Sequence, residues 1–154
     1  MKYIIAFLLT STILFSYQKG DNISPDIAKR LKLESGKIYV IDFFASWCES
    51  CKKEMPLLVK VSKEINGDKF ELIGVDVDED IKKAKEFQKE QSISFRVVND
   101  PKNEIIKAFN PLGMPSLYVV KDGKILNLLF GAVDDVDKVI LDELREQSKW
   151  ELYI

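Results

Sequence analysis

The run Lys37-Ile38-Tyr39-Val40-Ile41-Asp42-Phe43-Phe44-Ala45 is an almost unbroken series of β-branched and aromatic residues. A strand with one wet face alternates apolar and polar side chains. A run without that alternation reads as a central strand buried on both faces, as strands of parallel sheets are. Parallel neighbours have to be joined by crossovers, and these are usually helices. The chain supplies them. From Cys48 onward Leu57, Leu58, Val61 and Ile65 recur at helical spacing, with Lys52, Lys53, Lys60 and Lys63 among the polar positions. Pro56 inside this pattern is expected to kink the helix. Phe70–Val77 reads as a second buried strand, and Asp80–Gln91 as a charged helix with Ile81, Ala84 and Phe87 on one side. Phe95–Val98 is a short strand ended by Asn99-Asp100-Pro101, and Asn103–Phe109 a short helix. Ser116–Val120 and Ile125–Phe130 flank Lys121-Asp122-Gly123-Lys124, a strong hairpin signal. A last helix begins near Asp134 and turns Val136, Val139, Ile140 and Leu144 inward. Ahead of the first strand, Ser24 is a candidate N-cap and Pro25 a first helical residue for a short helix over Pro25–Leu31. The order from Lys37 is β-α-β-α-β-α-β-β-α. It predicts an α/β domain with a mixed central β-sheet and helices on both faces.

The 154 residues, 46% of them hydrophobic, are enough for one domain with an ordinary core. A net charge of −2 makes no electrostatic case for nucleic acid. No histidine is present, so there is no imidazole to act as general base, haem ligand or metal ligand. Residues 1–16 read as a signal peptide or N-terminal membrane anchor. Lys2 precedes an apolar run, Tyr3–Phe15, that is short for the roughly 20 residues of a spanning helix. Ser16 is an acceptable small residue before a cleavage point, whereas Leu14 matches an A-x-A pattern poorly. Polar residues 17–24 are expected to be a linker, and 25–154 the folded domain.

Cys48 and Cys51, in Trp47-Cys48-Glu49-Ser50-Cys51, are the only cysteines. A zinc site needs about four ligands, and no histidine or further cysteine is there to complete one. As a structural staple the pair would close too small a loop to remove much unfolded-state entropy. Two thiols three apart at a helix start suit exchange instead: one thiolate attacks a partner disulfide and its neighbour resolves the mixed disulfide. No metal and no cofactor is expected.

Three separated stretches carry a family likeness: Asp42-Phe43-Phe44-Ala45-Ser46-Trp47-Cys48-Glu49-Ser50-Cys51, then Pro56, then Gly113-Met114-Pro115-Ser116 leading into the hairpin. Together they resemble the active-site segment, the helix-kinking proline and the cis-proline loop of thioredoxin-fold proteins. The likeness covers about residues 25–150. Within that superfamily the chain looks most like the exported TlpA, ResA and CcmG group. The apolar N-terminus, Cys48-Glu49, Lys52-Lys53-Glu54-Met55-Pro56 and a helix-strand insertion at roughly 78–98, before the cis-proline loop, all point there. The resemblance implies a thioredoxin-like fold and an extracytoplasmic reductant, in the periplasm or on the outer face of the cytoplasmic membrane. It also implies protein disulfides as substrates, apocytochrome c cysteines being a candidate, and a membrane thiol as electron donor. The protein is expected to be a monomer.

Each candidate residue has a role and, for several, a plainer alternative. Cys48, at the helix N-terminus, is the expected nucleophile, because free N–H groups and the helix dipole stabilise a thiolate there. Cys51 is the resolving thiol. Glu49 adds negative charge that opposes thiolate formation, or is simply a solvated first-turn glutamate. Asp42 resembles the buried aspartate of thioredoxin. With Glu54 it could lie beneath the disulfide and relay the proton of the resolving thiol; the plainer reading of Glu54 is a surface salt bridge to a lysine. Trp47 either shields the site and meets partners or only packs. A cis bond before Pro115 would leave the Met114 backbone as a strand edge for a partner peptide, with Met114 lining the groove. A disulfide-forming oxidase of the same fold and a non-catalytic binding module are the alternatives. Peroxiredoxin chemistry and copper carriage fit the residues less well.

Overall fold

The structure, a computed structural model, describes residues 16–151. Its elements run α1 (Pro25–Arg30), β1 (Ile38–Phe44), α2 (Glu49–Ile65), β2 (Phe70–Asp76), α3 (Ile81–Glu90), β3 (Arg96–Asn99), α4 (Glu104–Phe109), β4 (Ser116–Lys121), β5 (Lys124–Phe130) and α5 (Val136–Glu151). One five-stranded sheet has the order β3-β2-β1-β4-β5. β1 pairs parallel with β2 and antiparallel with β4, β2 pairs parallel with β3, and β4 pairs antiparallel with β5. The mixed sheet is the one the sequence predicts.

β1 lies at the centre and every residue of it is buried, which is why its sequence lacks alternation. Its two successive phenylalanines show the cover on opposite faces. Phe43 packs on Phe109 of α4 and Tyr118 of β4, with ring centroids 4.9 and 5.8 Å apart. Phe44 packs on Phe87 of α3 at 5.9 Å. Gly74 of β2 is needed for that second contact: a Cβ there would stand 2.6 Å from the Phe44 ring. The insertion segment thus supplies α3 as cover and β3 as an edge strand. α2 runs unbroken from Glu49 to Ile65 through Pro56 and is tied to α5 by a Lys60–Asp137 ion pair of 2.8 Å. The hairpin turn sits where expected, with Asp122 and Gly123 at φ 50° and 75°.

Residues 17–24, read from sequence as a linker, lie along the domain. Tyr17 N–H donates to Phe109 O at 3.0 Å, and the two rings meet edge to face at 5.2 Å. Gly20 N–H donates to Ile125 O at 2.8 Å, Ile125 N–H to Asp21 O at 2.9 Å, and Ile23 N–H to Gly123 O at 2.7 Å. Ile23 is buried in the core. Two apolar anchors in a polar stretch, helped by backbone hydrogen bonds to the edge strand β5, hold it there; such a pattern carries no periodicity to read. Among the described residues no helix is long and apolar enough to cross a membrane.

Candidate active site

The chain leaves β1 at its C-terminal end, turns through Ser46 and Trp47, and enters α2 with Cys48 as N-cap. Cys48 N–H donates to Ala45 O at 3.1 Å, closing that turn. Cys48 and Cys51 are disulfide-bonded, and Cys51 N–H donates to Cys48 Sγ at 3.3 Å. This places Cys48 sulfur where the first free N–H groups of a helix point, the position that favours a thiolate. Cys48 is 8% exposed and lines an open cleft, whereas Cys51 is 2% exposed. Of the pair, Cys48 is the one a partner can reach.

The two expected carboxylates, Asp42 of β1 and Glu54 of α2, are both buried and near enough for their charges to interact. Neither Asp42 oxygen has a hydrogen-bond partner. Burial, and then the charge of Glu54, push the Asp42 acid well above the ordinary carboxylate range. Glu54 accepts a hydrogen bond from Val133 N–H through Oε1, while its Oε2 has no partner. Burial raises the Glu54 acid and the Val133 N–H opposes that rise. The salt bridge to a lysine that was the plainer expectation for Glu54 does not form. Glu54 lies one helical turn beyond Cys51, on the face that also buries Met55 and Leu58. Glu49 takes the solvated alternative: it is exposed and paired with Lys52 at 2.7 Å. That lysine holds its acid below the ordinary range.

Two adjoining clefts open on either side of Trp47, which is 65% exposed and does not pack as a core residue. The first, about 440 Å³, is walled by Trp47, Cys48, Ile106, Pro111, Gly113 and Met114. The second, about 680 Å³, continues past Trp47 and Met114 to Asp78, Glu79, Lys83 and Lys107. The Met114–Pro115 peptide is cis, and Met114, half-buried, lines both clefts. Leu112 beside it is 83% exposed. Among the described residues no group of three or more His, Cys, Asp or Glu side chains could hold a metal ion.

Asp78, Val133, Ile106 and Leu112 were not singled out from sequence. For Asp78 a signal existed, since it follows a buried strand at the C-terminal end, where open α/β sheets place their sites. Val133 contributes only a backbone N–H, which no side-chain pattern announces.

A dithiol at the carboxyl end of the central strand, facing a cis-proline loop across the same mixed sheet, defines a thioredoxin-like protein. The fold comparisons agree. The thioredoxin domain of a thiol-disulfide oxidoreductase from Bacteroides vulgatus superposes with a TM-score of 0.66 at 20% sequence identity, covering 82% of this chain and 98% of its own. StoA from Bacillus subtilis superposes with a TM-score of 0.61 at 22% identity, covering 68% of this chain and 83% of its own. The chain belongs to the AhpC/TSA family, whose pattern matches residues 15–128. ResA from Bacillus thuringiensis subsp. konkukian, named a thiol-disulfide oxidoreductase, is 31% identical over 106 residues, or 67% of this chain. The match spans 61% of that relative's length.

Proposed function

We propose that the protein is an extracytoplasmic thiol–disulfide oxidoreductase that reduces protein disulfides. The observation that carries this reading is the position of the dithiol: Cys48 opens on a cleft while Cys51 is buried, and the neighbouring β1 and α2 bury two acids, Asp42 and Glu54. The Cys48 thiolate attacks one sulfur of a partner disulfide, forming a mixed disulfide and releasing the other sulfur as a thiolate that takes up a proton. Cys51 then loses its proton and attacks Cys48 sulfur. The Cys48–Cys51 disulfide forms, the partner leaves as a dithiol, and two electrons have passed to it. A membrane dithiol restores the reduced pair. Asp42 is the acceptor for the Cys51 proton, its acid raised by burial and then by the charge of Glu54. The partner segment lies along Met114 with Trp47 above it. Apocytochrome c cysteines are the candidate partner, on the strength of the likeness to ResA, and residues 1–16, of which 1–15 lie outside the described residues, are the export signal or anchor.

The test is the reduction potential of the Cys48–Cys51 pair. A value near thioredoxin's, about −270 mV, supports a reductant, while one near DsbA's, about −120 mV, makes the protein an oxidant of the same chemistry. Cys48→Ser should abolish disulfide reduction, and Cys51→Ser should trap the partner as a mixed disulfide. A Cys48→Ser protein that still reduced insulin would end the assignment.

A further inference from the structure

Ser46 carries the chain from β1 to the dithiol, and it is held from outside its own strand. Its backbone N–H donates to Asp78 Oδ2 at 2.8 Å, and its hydroxyl donates to Asp78 Oδ1 at 2.9 Å. Ser46 and Trp47 are the two central residues of the turn that the Cys48 N–H to Ala45 O bond closes. Whatever fixes Ser46 therefore fixes the start of the turn that presents Trp47 and Cys48.

Asp78 is itself buried and held from behind. Its N–H donates to Asp76 Oδ1 at 3.0 Å, and Gln88 Nε2 donates to Asp76 Oδ2 at 2.7 Å and to Asn99 Oδ1 at 2.9 Å. The anchor thus reaches back into β2, α3 and β3. Removing a carboxylate from water is costly unless its oxygens are used. Here both are used on one serine, in charge-assisted bonds that are shorter and more directional than neutral ones. The same side chain lines the second cleft, past Trp47.

We propose that Asp78 is a positioning residue for disulfide exchange, holding both polar groups of Ser46 so that Trp47 and Cys48 meet the partner disulfide in line. The inference rests on the exchange activity proposed above. In-line attack on sulfur is sensitive to placement, and a displacement of about 1 Å can cost on the order of a hundredfold in rate.

Three variants of the full chain test it: Asp78→Ala, Asp78→Asn and Ser46→Ala. Ala and Asn remove the same charge, but only Asn keeps an acceptor for the Ser46 N–H and a donor for its hydroxyl. Asp78→Ala is expected to lower kcat for a peptide disulfide about tenfold or more, with Asp78→Asn within about threefold of wild type and Ser46→Ala between them. The reduction potential should stay at the wild-type value in all three. Equal losses in Ala and Asn, wild-type kcat in both Asp78→Ala and Ser46→Ala, or a potential that moves with kcat would each overturn the inference. If Asp78→Ala does not fold, Ser46→Ala decides alone, and wild-type kcat there overturns it. A wild-type chain that reduces no disulfide would end the assigned activity instead. Alkylation of reduced Cys48 by iodoacetamide then still reads the inference: it should change in Asp78→Ala and be restored in Asp78→Asn, and equal rates in all variants overturn it.

Discussion

Two places in this molecule bury a carboxylate, and they treat it in opposite ways. Asp100, at the entry to α4, spends Oδ1 on the Glu104 N–H at 2.9 Å and Oδ2 on the N–H groups of Ile105 and Ile106 at 2.9 and 3.0 Å. Asp42, in the centre of β1, has no partner for either oxygen, and its neighbour Glu54 is another acid. Burial is nearly equal in the two. At Asp100 the cost of desolvation is offset by three donors that the helix would otherwise leave open. At Asp42 nothing in the fold offsets it, so the acid is pushed toward its protonated form. An acid that the fold satisfies is part of the scaffold. One that the fold leaves unsatisfied, as Asp42 is, is the candidate proton acceptor for the exchange proposed above.

The contrast can be broken most directly at its structural end. Asp100→Ala removes three acceptor bonds and should destabilise the protein by about 2–3 kcal/mol in urea unfolding, with disulfide reduction per folded molecule unchanged. A loss of activity without loss of stability would erase the distinction. Asp42→Ala should do the reverse. With the unpartnered acid gone, stability at pH 7 is expected to rise by about 1–2 kcal/mol, while exchange slows on the order of a hundredfold if Asp42 takes the Cys51 proton.

The sign of its pH dependence follows from the raised acid. A proton held more tightly in the folded chain adds stability in full below the ordinary carboxylate value of about 4, and that contribution is lost as pH climbs through the raised value. The stability advantage of Asp42→Ala should therefore open above about pH 4 and widen upward; a gap that is flat with pH would refute it. Glu54→Gln is the mildest change. The amide oxygen can still accept from Val133 N–H, so stability should move by less than about 1 kcal/mol. The pH profile of mixed-disulfide resolution should shift downward by less than in any variant that touches Asp42 itself, because burial, the larger cause of the Asp42 shift, is untouched.

The elements that build this site were legible wherever a local rule governs them. The unbroken run of β1 announced its central position, the helical period announced α2 from the cysteines onward, and Asp122-Gly123 announced the hairpin. The burial of Asp42 followed from its place in β1, and that of Glu54 could have been settled by its spacing from Cys51 and Met55 on one helical face. What was not legible depends on pairings between segments far apart in sequence. The Asp78 clamp on Ser46, the Val133 N–H on Glu54 and the docking of Tyr17 and Ile23 each join a residue to a partner that only the folded topology brings near. Glu49 shows a subtler limit: its position was plain, but its effect on Cys48 turns on whether Lys52 reaches it.

The mooring of Tyr17 has a consequence for how the domain can be carried. Phe109, which Tyr17 grips through both backbone and ring, stands two residues before Pro111 in the wall of the first cleft. From there the segment meets the start of β5 at Ile125, through Gly20 and Asp21, and the hairpin turn at Gly123, through Ile23. Whatever pulls on the chain ahead of Tyr17 therefore pulls first on α4 and the cleft wall beside the dithiol, before it reaches the hairpin.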